Sequence, residues 1–447
     1  MHFTLGVDAH AKKRGQIETV GWDFETVVNP HMLIMGMSGA GKTHTIRSII
    51  RGMLNTSEGM TRMPRVHLFD VHGDLASPKA SSARISEQSP YGLNPLKINP
   101  DPHFGGPRKQ IQFFLDTINR STRRMGDRQE ACLRSILVDL YAANGFYLDK
   151  VESWKLDDGR SRKYPKKHPT LHDAQRFAYH KLKSLYLGGD NKATASLEQL
   201  NKKVAKLNRL RKPDPNGEIE PEDLDKTKAE VIDTYSQYVE SITTGRELEQ
   251  YIRYGSKDVL RSISDRLENL AASGIFKNET PPFDDRVPVW HYDMTAISNA
   301  EQKMFTLFRL QEVMEEAYTR GPTKDLVDIV VIDEAHRYMS GDSENIIDTI
   351  AKEGRKFGVG LMAASQSPSH FTDDFLSSVA TKIILGLDEM HWSTGARKLR
   401  IDEKLMTMVI PRRRLLVQVK RSTTTQNRYH LTLPPQEQNA SGVASGS

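Results

Sequence analysis

A glycine-rich loop between an apolar run and a helical pattern constrains this chain more than any other feature. His31-Met-Leu-Ile-Met-Gly36 is continuously apolar, as a strand covered on both faces must be, and the stretch from Thr43 to Met53 has helical spacing. Between them Gly36-Met-Ser-Gly-Ala-Gly-Lys42-Thr43 satisfies G-x-x-x-x-G-K-[ST]. The glycines let backbone N–H groups curl around a phosphate at the positive end of the helix. Lys42 would neutralise the β and γ phosphates of ATP, and the Thr43 hydroxyl would coordinate Mg²⁺. The expected nucleotide-binding set is Gly36, Ser38, Gly39, Ala40, Gly41, Lys42, Thr43 and His44.

A second apolar run, Ile329-Val-Val-Ile-Asp333-Glu334, ends in two carboxylates. A buried strand ending this way sets one acid near the metal and the next beside the γ-phosphate, where it can polarise the attacking water. Asp333 is therefore the expected metal-side acid, with Thr43, and Glu334 the expected catalytic base. Asp333-Glu-Ala-His336 also spells the box of a large group of two-lobed helicases. In those proteins the two motifs lie much closer, whereas Lys42 and Asp333 are 291 positions apart here. The next strand ends Ala364-Ser365-Gln366 and not Ser-Ala-Thr, so His336 reads as a helix-start residue.

Further strand-like runs lie at 66–70, 287–293, 359–365, 381–387 and 415–420. With helical patterns after several of them, the two ends of the chain read as one doubly wound α/β core with a mostly parallel sheet. Between residues 101 and 285 the sequence turns to charged segments with helical spacing, as at 129–143 and 257–272. Leu197, Leu200, Val204, Leu207 and Leu210 form one narrow apolar stripe there. The expected organisation is a discontinuous core, 1–100 and 286–435, interrupted by an inserted all-α domain, 101–285, with a flexible tail at 436–447. Residues 213–225 carry six acids and no base and read as an exposed loop.

The net charge of +6 over 447 residues conceals a local excess. Residues 155–212 hold 16 Lys+Arg against 5 Asp+Glu, which leaves the rest of the chain at −5. That segment reads either as a solvated helix face or as a surface for DNA or a partner. Arg123-Arg124 and Arg412-Arg413-Arg414 read as solvent-exposed runs or DNA contacts. A lone Cys132 excludes intrachain disulfides and cysteine-rich zinc clusters, and the 15 His residues show no metal-ligand spacing. With no 18-residue apolar run and no signal-peptide core in the first residues, a soluble cytoplasmic protein is expected.

The GKT loop, the distant Asp-Glu, the turn Gly354-Arg-Lys-Phe-Gly358 and the strand ending in Gln366 together resemble the HerA–FtsK superfamily of hexameric DNA-pumping ATPases. The stretch Asn29 to Thr43, Leu68-Phe-Asp-Val-His-Gly-Asp74 and Tyr91-Gly-Leu-Asn-Pro-Leu96 look like its conjugative and HerA-like branches. The resemblance covers residues 16–100 and 286–435 and implies a RecA-like P-loop core. It implies that Gln366 is a polar sensor of the γ-phosphate or attacking water. It also implies that Arg355 is an arginine finger reaching the neighbouring subunit's nucleotide. Asp70, His72 and Asp74 read equally as turn residues around Gly73 or as groups that order water or Mg²⁺.

The implied function is a homohexameric, ATP-driven double-stranded DNA translocase in DNA processing, mobile-element transfer or phage defence, with a separately encoded nuclease or effector as partner. Two alternatives share the motifs: a conjugation or secretion ATPase that moves protein, and an ATP-gated scaffold that activates a partner. Only about 30 residues precede the first core strand, so at most a hairpin is expected there, without HerA's amino-terminal barrel.

Overall fold

The most continuous apolar runs take the middle of a single sheet, where both faces are covered. The computed structural model describes residues 1–57, 63–76, 79–156, 166–187, 191–210, 221–241, 253–339, 345–422 and 427–434. It divides into two units, Met1–Leu93 with Lys277–Ser447, and Asn94–Phe276.

The first unit opens with β1 (His2–Asp8), α1 (Ala9–Lys13), β2 (Thr19–Asp23), β3 (Met32–Met35), α2 (Lys42–Ser57), β4 (Arg65–Asp70) and β5 (Ser81–Arg84). The second has no strand among its described residues: α3 (Pro107–Ser121), α4 (Asp127–Ala143), α5 (Leu171–Leu187), α6 (Asn191–Leu210), α7 (Pro221–Ser241) and α8 (Lys257–Ala272). The first unit then resumes with β6 (Val289–Asp293), α9 (Asn299–Arg320), β7 (Asp328–Ile332), α10 (Ile346–Glu353) and β8 (Val359–Ser365). It closes with α11 (Asp373–Ser378), β9 (Thr381–Ile384), α12 (Trp392–Leu399), α13 (Glu403–Met406), β10 (Leu415–Val419) and β11 (Tyr429–Leu433).

The strand order is β2-β1-β11-β10-β9-β3-β8-β7-β4-β6-β5. From β9 to β5 every neighbour is parallel. β10, β11, β1 and β2 extend one edge antiparallel. β3, β7 and β8 are buried at every residue. On one face Ile46, Ile49, Ile50 and Met53 of α2 join Trp22, Met32, Ile34, Val66 and Val331 in one buried cluster. Each such side chain contributes about 1.5–3 kcal/mol by its burial, so α2 rigidly anchors the loop that precedes it. Because β3 lies between β8 and β9, the chain's direction of travel across the sheet reverses there, and a crevice opens at the carboxyl ends of the strands.

In the second unit α3 packs on α4, α4 and α5 on α8, and α6 on α7. Leu200 and Leu207 of the α6 stripe are buried and Val204 is half-buried; the side chains of Leu197 and Leu210 lie outside the described residues. This unit begins at Asn94, earlier than its charged texture indicates, because Leu96 and Ile98 are buried and the Tyr141 hydroxyl donates to Leu96 O at 2.9 Å.

Residues 221–225, expected in a loop, form the first turn of α7. Proline suits that start, since its missing N–H would have no helical partner. Residues 213–220, the tail at 436–447, and residues 157–165, 188–190 and 211–212 of the basic segment lie outside the described residues. β5 escapes an apolar search because Ser81-Ser-Ala-Arg84 is a polar edge strand with Ala83 alone buried. Among the described residues no helix is long and apolar enough to cross a membrane.

Candidate active site

β3 hands over to α2 through residues 36–41. Gly39 and Gly41 take φ of 76° and 101°, left-handed values that glycine adopts without strain. The Met37 N–H donates to Gly386 O at 2.8 Å and the Ala40 N–H to Met37 O at 3.2 Å. The N–H groups of Ser38, Gly39, Gly41, Lys42 and Thr43 have no acceptor among the described residues, and they surround the positive end of α2. That is a cradle for an anion. Lys42 is buried, with Nζ donating to Gly36 O at 3.1 Å and lying 3.8 Å from Glu334 Oε1. His44 is exposed in the first turn of α2.

The acids converge on the same end of the sheet from β4 and β7. Thr43 Oγ1 donates to Asp74 Oδ2 at 2.8 Å. Asp74 is exposed, but its loop is held from two sides. Asp70 accepts the N–H groups of His72 (3.1 Å), Gly73 (2.7 Å) and Leu75 (2.9 Å), and pairs with His291 Nε2 at 3.0 Å. From α2, Arg47 donates to the carbonyls of Asp74 and Ala76. Although burial works against it, the hydrogen bonds from His291 and from the Leu75 and Gly73 N–H groups hold Asp70 below the usual carboxylate range.

Asp333 is buried directly after β7 and accepts the Glu334 N–H at 2.9 Å. Burial, reinforced by the neighbouring Glu334 carboxylate, pushes Asp333 up to about 6. A cation in this position would restore its ionised form. Thr43, Asp74 and Asp333 are hard oxygen donors, which suits Mg²⁺ held by one or two carboxylates together with phosphate oxygens. Among the described residues no group of three or more His, Cys, Asp or Glu could cage a metal without such help.

Glu334 sits in the left-handed region, φ 52° and ψ 46°. For a residue with a side chain this costs roughly 1–3 kcal/mol, a form of strain that clusters at working sites. It turns the carboxylate toward Lys42 and toward Gln366, whose Nε2 donates at 3.4 Å to each carboxylate oxygen. Gln366 is exposed beyond the end of β8, so its amide faces the crevice. His336, on the short 3₁₀ turn after Glu334, brings Nδ1 to 3.1 Å from Glu334 Oε2 without the alignment of a hydrogen bond. Burial holds His336 below its ordinary value, and its ring lies 4.8 Å from that of His370.

Arg355 is not brought to this cluster. It lies on the 3₁₀ turn Gly354–Phe357 at the amino end of β8, while Gln366 follows the carboxyl end. The seven-residue strand between them spans roughly 23 Å at 3.3 Å per residue. Arg355 is exposed, and its guanidinium makes no hydrogen bond or ion pair among the described residues.

The family model "Helicase HerA, central domain" matches residues 10–105, the stretch that carries the glycine loop and Asp74. The DNA double-strand break repair helicase HerA of Pyrococcus furiosus is 26% identical over 376 residues, covering 81% of this chain and 57% of that protein. HerA of Sulfurisphaera tokodaii is 46% identical over a 65-residue stretch, 14% of this chain and 13% of that one. In fold the chain is similar to VirB4 of Thermoanaerobacter pseudethanolicus, with a TM-score of 0.60 at 16% identity over 97% of this chain and 96% of that one.

The chain is thus similar to HerA proteins in sequence and to VirB4 in fold. It spans little more than half the length of the first HerA relative. Two further groups meet the glycine loop. Asp74 touches the loop threonine. Arg412, inside an arginine run read as solvent-exposed or as a DNA contact, donates from Nε to Gly39 O at 3.1 Å. The sequence signal for Asp74 was its Asp-x-His-Gly-Asp context; Arg412 had none, because its neighbours are also arginines.

Proposed function

We propose that the chain is an ATP-hydrolysing motor that works on double-stranded DNA as a homohexameric ring in the cytoplasm. The observation that carries this reading is the convergence of Lys42, Thr43, Asp74, Asp333, Glu334 and Gln366 at the carboxyl ends of β3, β4, β7 and β8. Backbone N–H groups of residues 38–43 and the Lys42 ammonium take the phosphate chain. Thr43, Asp74 and Asp333 hold Mg²⁺, which when bound neutralises charge on the β and γ phosphates. Glu334 accepts a proton from the attacking water, and Gln366 orients that water or the γ-phosphate.

Arg355 lies too far from its own chain's site to act there, which supports a role at the neighbouring subunit's nucleotide. A guanidinium supplied in this way stabilises transition-state charge and makes assembly part of catalysis. The helical unit, with its excess of positive charge, is the proposed surface for DNA phosphates or for a nuclease or effector partner.

The deciding experiment measures ATP hydrolysis with and without linear duplex DNA at low salt, together with retention of the protein on DNA. Stimulation with salt-sensitive retention is the expected result. Absence of both would overturn the motor reading.

A further inference from the structure

Arg412 differs in conformation and contact from the two arginines beside it. It occupies a tight turn in which the Ile410 N–H donates to Arg414 O at 3.0 Å, and the N–H groups of Arg413 and Arg414 return to Ile410 O at 2.9 and 2.8 Å. β10 runs antiparallel to β9, and β9 is parallel to β3, so this turn stands beside the end of β3 that bears the glycine loop. The packing is close. A Cβ on Gly386 would come within 3.0 Å of Pro411 Cγ, and Gly386 O itself holds the Met37 N–H of the loop.

Arg412 has a φ of 64°, a left-handed conformation that a residue with a Cβ adopts only at a cost. That backbone lays the side chain across the loop. Nε donates to Gly39 O at 3.1 Å, and Cγ lies 3.5 Å from where a Gly41 Cβ would stand. The side chain is exposed, and its two Nη groups have no hydrogen-bond partner among the described residues.

We propose that Arg412 is a further phosphate-binding cation of the nucleotide site, acting in cis. Nε fixes the loop at Gly39, and the two Nη groups face the phosphate chain of the nucleotide held there. The proposal rests on the reading of this site as a nucleotide site. Lys42 approaches phosphate from the helix side as a point charge; Arg412 adds a planar fork able to bridge two phosphate oxygens. Loss of such a charge-assisted contact corresponds to roughly a ten- to hundredfold fall in affinity.

The test titrates a fluorescent ADP and a non-hydrolysable ATP analogue into the full chain and its variants. Arg412→Ala and Arg412→Gln should each weaken binding by roughly ten- to hundredfold, with Arg413→Ala within about twofold of the parent. Arg412→Gly suits the left-handed backbone, so it should melt no lower than the parent while binding as weakly as Arg412→Ala. Glutamine can still donate to Gly39 O without a charge. Parental affinity in Arg412→Gln would therefore reduce Arg412 to a prop for the loop and overturn the proposal, as would parental affinity in Arg412→Ala. Lys42→Ala separates the two levels. If that variant binds nucleotide normally, the nucleotide-site reading itself fails; if it loses binding while Arg412→Ala does not, only the role of Arg412 fails.

Discussion

Thr43 Oγ1 donates to Asp74 Oδ2 at 2.8 Å, joining the last residue of the glycine loop to the loop after β4 across 31 positions of sequence. The pair brings a hydroxyl and a carboxylate to one end of the sheet, near Asp333, whose carboxyl is raised in part by Asp74. An acid that orients a metal-side hydroxyl should set the metal requirement of the reaction.

Asp74→Ala should therefore raise the Mg²⁺ concentration for half-maximal hydrolysis by roughly ten- to hundredfold, the usual effect of losing a group that orients a ligand. Nucleotide binding measured without Mg²⁺ should stay within about twofold. A Mg²⁺ titration of the ATPase rate checks this, and an unchanged midpoint would remove Asp74 from the site.

Glu334→Gln keeps the shape and a hydrogen-bonding group beside Gln366 but cannot accept the proton of water. The turnover number should fall by about 10²- to 10⁴-fold while nucleotide affinity is retained, as expected for loss of a general base. Steady-state rates paired with equilibrium titration distinguish this from a binding defect. Turnover near the parental rate would assign the base elsewhere.

Arg355→Ala should leave nucleotide binding and ring formation intact while hydrolysis falls by about 10³- to 10⁵-fold. The informative measurement mixes it with Lys42→Ala. At an interface where an Arg355→Ala subunit offers its intact Lys42 site to the intact Arg355 of a Lys42→Ala subunit, a complete site is rebuilt. Two inactive preparations should then recover activity on mixing; failure to recover would count against action in trans.

Lys382 on β9 is buried, with Nζ bonded to Val379 O at 2.9 Å. Burial, with Lys420 close by, pulls its ammonium down to about 7. The unfolded chain keeps that proton to about pH 10.4, so between these values it binds more protons than the folded chain, and stability rises with pH. Below about pH 7 both states are charged and the full cost of burying the charge is present. Lys382→Met should thus stabilise by a few kcal/mol near pH 6 and by progressively less toward pH 10. Thermal melting across that range checks the trend, and a pH-independent gain would refute it.

The parts of the site written in contiguous residues were legible at once. Gly36 to Thr43 is a backbone shape specified by its own glycines, and the buried run before Asp333 and Glu334 can end only where strand meets crevice. Gln366 was legible by its place after β8. The polar edge strand β5 and the hairpin β1–β2 were not read as core strands, since an edge needs little apolar sequence. The start of α7 hid behind an acidic, proline-bearing stretch that reads equally as loop and as helix entry.

By itself the sequence determined a parallel α/β core, an anion-binding turn, an acid pair and a helical middle, because each follows from local periodicity or from the chemistry of adjacent residues. Only the tertiary structure decided which distant residues meet. Parallel pairing sets β3 between β8 and β9, so Lys42, Glu334 and Gln366 share a crevice although they span 324 positions. The same sheet sends Arg355 to the opposite end and folds the Arg412 turn onto Gly39. Strand pairing of this kind is non-local, and no spacing along the chain records which ends will come together.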